Sequence, residues 1–304
     1  MDYSAMQDEL KALAREKRAV ILAHNYQRPE VQDVADYVGD SLGLSRQAAA
    51  SEADIIVFCG VDFMAETAAI LAPSKRVILP EERAHCPMAA MVDEEGLAAL
   101  KAEHPDAVVV SYVNTSAAVK ALSDICCTSA NAPEVVSSVP ADRQIIFTPD
   151  CNLGAWVAAK TGRDMILWRG YCPTHDLIQP EDILEAKALH PKAKVVVHPE
   201  CRPDVTELAD AVESTSGMIR FCREDDAQEF IVGTESGMIH RLSVDIPGRR
   251  FYLVNDSVVC PTMKMTTLRK VIEALRREGP VVTVPEEIRL KALAAVQRMV
   301  EIGR

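Results

Sequence analysis

The stretch VILAHNYQRPEVQDVADYVGDSLGLSRQAAASEADIIVFCG (20–60) decides the fold. It opens on a short apolar run, VILAHNY (20–26), passes a hydroxyl cluster, GDSLG (39–43), and reaches a second run, DIIVFCG (54–60). Such runs are short, rich in Val and Ile, and bounded by Gly, Pro, Asn and Asp, so they read as buried parallel strands. The same order returns twice. VVVSYVN (108–114), CTSAN (127–131) and QIIFTPD (144–150) form a second copy, and VVVHPEC (195–201), STSGM (214–218) and EFIVGTE (229–235) a third. A third apolar run closes each copy: RVILP (76–80), MILW (165–168) and RFYLV (250–254). Landmarks that recur in one order at about 87 residues mark a triplicated chain.

Helical patterns at 42–52, 62–72, 93–103, 115–122, 152–161, 181–190, 203–209, 235–243 and 264–277 lie between the strands. A short fourth strand is expected in each copy, at 37–38, 125–127 and 211–213, and a terminal helix at 285–302. Alternating strands and helices imply an α/β fold. The expectation is three homologous three-layer αβα domains with parallel sheets, spanning 1–104 (with an N-terminal helix), 105–191 and 192–304. With no low-complexity linker between them, they should pack around a pseudo-threefold axis.

Composition is ordinary for a globular chain of 304 residues: 48% hydrophobic, 26% charged and only 5% aromatic. A net charge of −12 offers no basic surface to nucleic acid or anionic membrane. MDYSAMQDELKALAREKR (1–18) is an amphipathic helix without a signal-peptide core, and no stretch reaches a membrane span. The chain therefore reads as cytoplasmic, where disulfides are rare. Its nine cysteines contain no CxxC pair, which disfavours a redox dithiol or zinc ribbon.

Three cysteines stand apart. Cys86-Pro87, Cys172-Pro173 and Cys260-Pro261 are separated by 86 and 88 residues, one per copy. Each follows the last strand of its copy and precedes a proline that stiffens the loop. Cys59, Cys126, Cys127, Cys151, Cys201 and Cys222 lack that spacing and read as small buried apolar residues. Ligands in open parallel sheets sit beyond the carboxyl ends of the strands, and the unusual polar residues fall there. They are His24, Asn25 and Tyr26 in the first copy, Tyr112 and Asn114 in the second, and His198 and Glu200 in the third. Ser41, Thr128, Ser129 and Thr215 read as helix N-caps whose free N–H groups would bind phosphate or carboxylate. The other histidines, His85, His104, His175, His190 and His240, read as surface or supporting residues. No GxGxxG, P-loop, HExxH or GxSxG motif occurs. Three thiolates suit zinc with one open position, or a cubane iron–sulfur cluster with one open iron. The absent fourth ligand and apolar setting lean toward the cluster.

The chain resembles the quinolinate synthase family of bacterial de novo NAD synthesis over essentially its whole length. The resemblance rests on AHNYQRPEVQDVADYVGDSLGLS (23–45), HCPMA (85–89), SYVNTSAAVKALSDICCTSAN (111–131), WRGYCPTH (168–175), HPEC (198–201), STSGM, GTESGM (233–238) and CPTMKMTTL (260–268). It implies a transferase that condenses iminoaspartate (iminosuccinate) with dihydroxyacetone phosphate to quinolinate, phosphate and water. It also implies an oxygen-sensitive [4Fe–4S] cluster on Cys86, Cys172 and Cys260, and functional coupling to L-aspartate oxidase. By the same resemblance, substrate binding falls to His24, Ser41, Tyr112, Asn114, Ser129, His198, Glu200 and Thr215. Acid–base work falls to Glu200 with His198, Tyr112 and Tyr26. Some family members carry CxxCxxC near the C-terminus; this chain has only Cys260 there. The rival expectations are a zinc lyase or hydrolase on the same thiols, and a cytosolic iron–sulfur sensor.

Overall fold

A computed structural model describes residues 3–302; residues 1 and 2 of the expected N-terminal helix and 303–304 of the third domain lie outside them. Twelve strands form three four-stranded parallel sheets. The first sheet holds β1 (Ala19–His24), β2 (Tyr37–Gly39), β3 (Ile55–Cys59) and β4 (Arg76–Ile78). The second holds β5 (Val108–Tyr112), β6 (Ile125–Cys127), β7 (Ile145–Thr148) and β8 (Ile166–Leu167). The third holds β9 (Lys194–Val197), β10 (Ala211–Val212), β11 (Glu229–Gly233) and β12 (Arg250–Leu253). Each has its second strand outermost, then the first, third and fourth. With helices on the sheet faces this is the expected α/β architecture of three αβα units, and the short fourth strands are present.

One device is repeated three times. An aspartate just ahead of the outermost strand accepts the N–H of a first-strand residue and returns its own N–H to that residue's carbonyl. The pairs are Asp36 with Ile21, Asp124 with Val109, and Asp210 with Val195; each side-chain bond is 2.8 Å and the return bonds are 2.9, 3.0 and 2.9 Å. The carboxylate supplies the ladder bond that a two- or three-residue strand is too short to give, so a buried N–H is not orphaned.

The first sheet is covered on both faces, and the burial pattern has the strand period of two. Ile21, Ala23 and Val57 pack with Leu10, Leu268 and Leu275 of the helices Ser4–Glu16 and Leu268–Arg277. Leu22, Ile56 and Phe58 face the opposite way, into a core shared with Phe147 and Phe230 of the other two sheets. The helix Glu286–Glu301 follows the third sheet in sequence yet packs on the helices Ser41–Ala50, Asp62–Leu71 and Ala117–Ala121 and on β6. Its last carbonyls are taken by Arg46, which donates to the Val300 oxygen at 2.9 Å, and by Asn131, which donates to the Met299 oxygen at 3.0 Å.

Among the described residues, four α-helices, Pro29–Gln32, Ala132–Ser137, Pro173–Asp176 and Thr215–Glu224, appear where no helical pattern was expected. The N-cap expectation is also corrected. Asp40 caps the helix Ser41–Ala50 by accepting the Gly43 N–H, and Ser214 caps Thr215–Glu224 by accepting the Gly217 N–H. Ser41 and Thr215 occupy the first helical turn instead, while Thr128 and Ser129 precede the helix Ala132–Ser137. A preceding carboxylate or hydroxyl takes the capping role, so the other hydroxyls need not fold back on their own backbone.

Candidate active site

The strand ends converge on one cavity with an empty volume of about 670 Å³. The residues expected to hold a cluster, bind substrate or move protons line it: His24, Tyr26, Ser41, Cys86, Tyr112, Asn114, Ser129, Cys172, His198, Glu200, Thr215 and Cys260, with Thr128 beside them; Asn25 does not, its amide donating to the Thr215 hydroxyl at 2.8 Å instead. Three sets repeat with separations of 88 and 86 residues: His24, Tyr112 and His198; Tyr26, Asn114 and Glu200; Ser41, Ser129 and Thr215. Ser129, rather than Thr128, is thus the second unit's counterpart of Ser41.

The two histidines are held alike. The Nδ1 of His24 accepts the Tyr26 N–H at 3.2 Å, and the Nδ1 of His198 accepts the Glu200 N–H at 3.3 Å. A neutral ring whose Nδ1 accepts must carry its proton on Nε2. Burial lowers both rings to about 3, against the opposing pull of Glu200, which keeps them neutral. The Nε2–H of His198 then donates to the Ser129 hydroxyl at 3.2 Å.

Glu200 is the hub. The Tyr112 hydroxyl donates to its Oε1 at 2.6 Å, and Nδ1 of His175 lies 2.7 Å from its Oε2. Burial alone would raise this carboxyl, but contact with His175, His198 and Tyr112 outweighs burial and holds it below the usual carboxylate range. Because His198 is neutral, His175 and the Tyr112 hydroxyl carry most of that stabilisation. Burial, then the Glu200 charge, pushes the Tyr112 and Tyr26 hydroxyls well above their ordinary range, so both stay protonated. The Tyr26 hydroxyl lies 2.6 Å from that of Thr234, which lies 2.9 Å from Nε2 of His175.

His175 corrects the expectation of a surface or supporting residue. It is buried, lines the cavity, stacks on His198 with ring centroids 4.7 Å apart and bonds Glu200 directly. Its place in the repeat, three residues after the Cys-Pro cysteine, holds Ala89 and Met263 in the other copies, so threefold matching gives no signal for it. Its position in CPTH beside Cys172 was the available clue. Thr174, Thr262, Asp40 and Glu235 also line the cavity. His85 and His240 pair with Asp62 and Asp33 instead, and His190 stacks on Tyr252.

All nine cysteines are free. Cys86, Cys172 and Cys260 border the cavity; Cys59, Cys126, Cys127, Cys201 and Cys222 are buried elsewhere. Burial, with smaller contributions from Cys260, Glu200 and Asp62, pushes the Cys86 thiol up to about 12. Burial and Glu200 raise that of Cys172, with Cys86 adding to the effect. A bound cation would stabilise the thiolate forms that burial disfavours at Cys86 and Cys172. Among the described residues, the single set of three donors within 4.8 Å of one another is Cys172, His175 and Glu200. One thiol from each unit on a single cavity gives three soft donors and no fourth cysteine among the lining residues, a donor set that suits a cubane iron–sulfur cluster with one open iron or a zinc with one open position. The Asn114 Oδ1 is buried with no partner on the cavity wall, a mark of a pocket shaped for a bound polar ligand.

The arrangement defines a three-unit α/β protein with a central polar cavity, a thiol from each unit, and a carboxylate–tyrosine–histidine network beside them. Comparison with known proteins agrees. The family model described as "Quinolinate synthetase A protein" matches residues 8–301. Similar chains include the quinolinate synthase of Desulforudis audaxviator, 59% identical over 97% of both chains. That of Thermodesulfovibrio yellowstonii is 56% identical over 97% of both, and quinolinate synthase 1 of Methanosarcina acetivorans is 54% identical over 99% of both. The chain belongs to the quinolinate synthetase A protein family. Among the described residues, no helix is long and apolar enough to cross a membrane.

Proposed function

We propose that this chain is a quinolinate synthase of NAD biosynthesis that joins iminoaspartate to dihydroxyacetone phosphate, releasing quinolinate, phosphate and water, and that Cys86, Cys172 and Cys260 hold a [4Fe–4S] cluster. The observation that carries the reading is the meeting of one thiol per unit at a single cavity, next to an ionised Glu200. When bound, such a cluster supplies an open iron that polarises a substrate oxygen.

The chain's own groups supply the rest. Two dianionic substrates repel each other. The neutral Nε2–H groups of His24 and His198, with the Ser41, Ser129 and Thr215 hydroxyls, offer hydrogen bonds to carboxylates from five directions. The helices that begin at Ser41 and Thr215 add the positive ends of their dipoles. Holding the reacting carbons in contact replaces a costly encounter. Glu200 is the base, because it alone in the network is anionic and accepts two donors. A proton it removes can be handed on through Tyr112, whose hydroxyl gives its own proton to a departing oxygen and takes Glu200's in return, while the His175 Nδ1–H steadies the carboxylate. The Tyr26–Thr234–His175 chain extends the same network from the far nitrogen of His175. L-Aspartate oxidase is the coupled source of iminoaspartate, and the chain works in the cytoplasm.

The test is anaerobic reconstitution with iron and sulfide, followed by assay of quinolinate from the two substrates. Expected are about four irons and four sulfides per chain and quinolinate formation. One bound zinc on Cys172, His175 and Glu200, with no product from the iron-loaded chain, would overturn the proposal.

A further inference from the structure

Two of the three Cys-Pro loops are gripped from behind by a carboxylate of their own unit. The Cys86 N–H donates to Asp62 Oδ1 at 3.1 Å, and the Cys260 N–H donates to Glu235 Oε1 at 3.1 Å. In the second unit Asp150 holds the matching place, where its Oδ1 accepts the Asn152 and Leu153 N–H groups and its Oδ2 is buried without a partner. Asp62, Asp150 and Glu235 lie just past the ends of β3, β7 and β11, at separations of 88 and 85 residues. The triplication that delivers the thiols therefore delivers these acids too.

Helix capping does not account for the set. Asp150 caps the helix Cys151–Thr161, but Asp62 is already inside the helix Asp62–Leu71, and Glu235 stands ahead of Ser236, the cap position of Gly237–Asp245. Glu235 is wholly buried. Besides the Cys260 N–H, it accepts the Gly237 N–H at 2.7 Å and the Lys264 ammonium at 2.9 Å, and that ammonium also donates to the Tyr26 carbonyl at 2.5 Å. One side chain thus ties the Cys260 loop to the loop bearing Tyr26.

We propose that Asp62 and Glu235 are positioning residues for the group held by Cys86, Cys172 and Cys260, each clamping the main chain of one ligand and placing negative charge behind it. Asp150, whose carboxyl is raised by burial and by the Glu200 charge, stands at the matching place in the second unit without that charge. This rests on the cluster reading above. Outer partners of metal ligands orient them and tune affinity. Net charge near an iron–sulfur centre also sets its potential, because a nearby anion opposes an added electron.

The two effects separate by substitution. Asp62→Asn and Glu235→Gln keep an oxygen to accept the cysteine N–H but remove the charge. Asp62→Ala and Glu235→Ala remove both. Asp93→Asn, at the cap of the remote helix Glu94–Glu103, is the control. The reconstituted full chain is assayed anaerobically for iron release to a chelator and for midpoint potential by redox titration. The alanine variants should release iron about 10–100-fold faster. The amide variants should hold iron within about threefold of the parent and shift the potential to more positive values, while Asp93→Asn moves neither. Parental iron release in the alanine variants, or parental potential in the amide variants, overturns the proposal. Should an alanine variant fail to fold, the amide variants decide it through the potential. A parent chain that takes up no iron and sulfide would instead fail the function reading, which the reconstitution step reads before any variant is compared.

Discussion

Replacing Glu200 by Gln separates chemistry from scaffolding. The carboxylate accepts from Tyr112 at 2.6 Å and from His175 at 2.7 Å. Hydrogen bonds to a charged group contribute about 1.5–3 kcal/mol and neutral ones about 0.5–1.5 kcal/mol, so two exchanged bonds lose about 2–3 kcal/mol together. Relief from burying a charge offsets part of this. The network can also rewire, because the Tyr112 hydroxyl can turn to accept and His175 can move its proton to Nε2, facing Thr234. The net cost is about 1–2 kcal/mol, a fall in melting temperature of about 2–3 °C. Loss of a general base should slow turnover by about 10²–10⁴-fold. Quinolinate formation, thermal melting and iron content are measured on one anaerobic preparation. Turnover within twofold of the parent would remove Glu200 from the chemistry. A collapsed melt with lost iron would make it a scaffold residue.

Cys86→Ala, Cys172→Ala and Cys260→Ala should each abolish iron and sulfide retention and turnover, whereas Cys222→Ala, at a thiol buried elsewhere, should retain both; metal analysis and product assay check this. His24 and His198 are held neutral down to about 3, while the unfolded chain takes up their protons near the ordinary 6.5. Stability should therefore fall as pH drops below 6.5, by about 1.4 kcal/mol per pH unit for each ring. Glu200, whose ordinary value is 4.5 and which is lowered, adds to the loss only below that range. Asp150, whose carboxyl is pushed well up by burial and then by the Glu200 charge, works in the opposite sense, so melting curves between pH 7 and 5 should read the net slope, and His24→Asn should remove one ring's share of the loss. Asp124→Ala leaves the buried Val109 N–H without a partner and should cost about 1–3 kcal/mol in denaturant titrations, with Asp124→Asn milder because its oxygen still accepts.

Most of the site was legible because three copies check one another. A residue type that returns at 88 and 86 residues after a Val/Ile run has to stand at a strand end, and strand ends of parallel sheets face one cavity. His24, Tyr112 and His198 were visible in this way. What broke the symmetry was not. His175 has Ala89 and Met263 as counterparts, so comparison of copies was silent about it. The helix Thr215–Glu224 hid behind a Ser-Thr-Ser start, although Met218 and Cys222 at helical spacing are the side it buries. Ser41 and Thr215 read as caps because the sequence offers two capping side chains in a row. Which of them folds back is decided by backbone geometry, and extended φ/ψ falls at Asp40 and Ser214.

The helix Glu286–Glu301 has a consequence for how the molecule is made. Its end is fastened by Arg46, on the helix that begins at Ser41, and by Asn131, two residues past Ser129. Folding in the order of synthesis would complete the first two sheets before this buckle exists. The pocket then acquires its final walls only after the whole third sheet has emerged and the chain has doubled back across them. Loading of the proposed cluster would thereby be deferred to a nearly finished polypeptide.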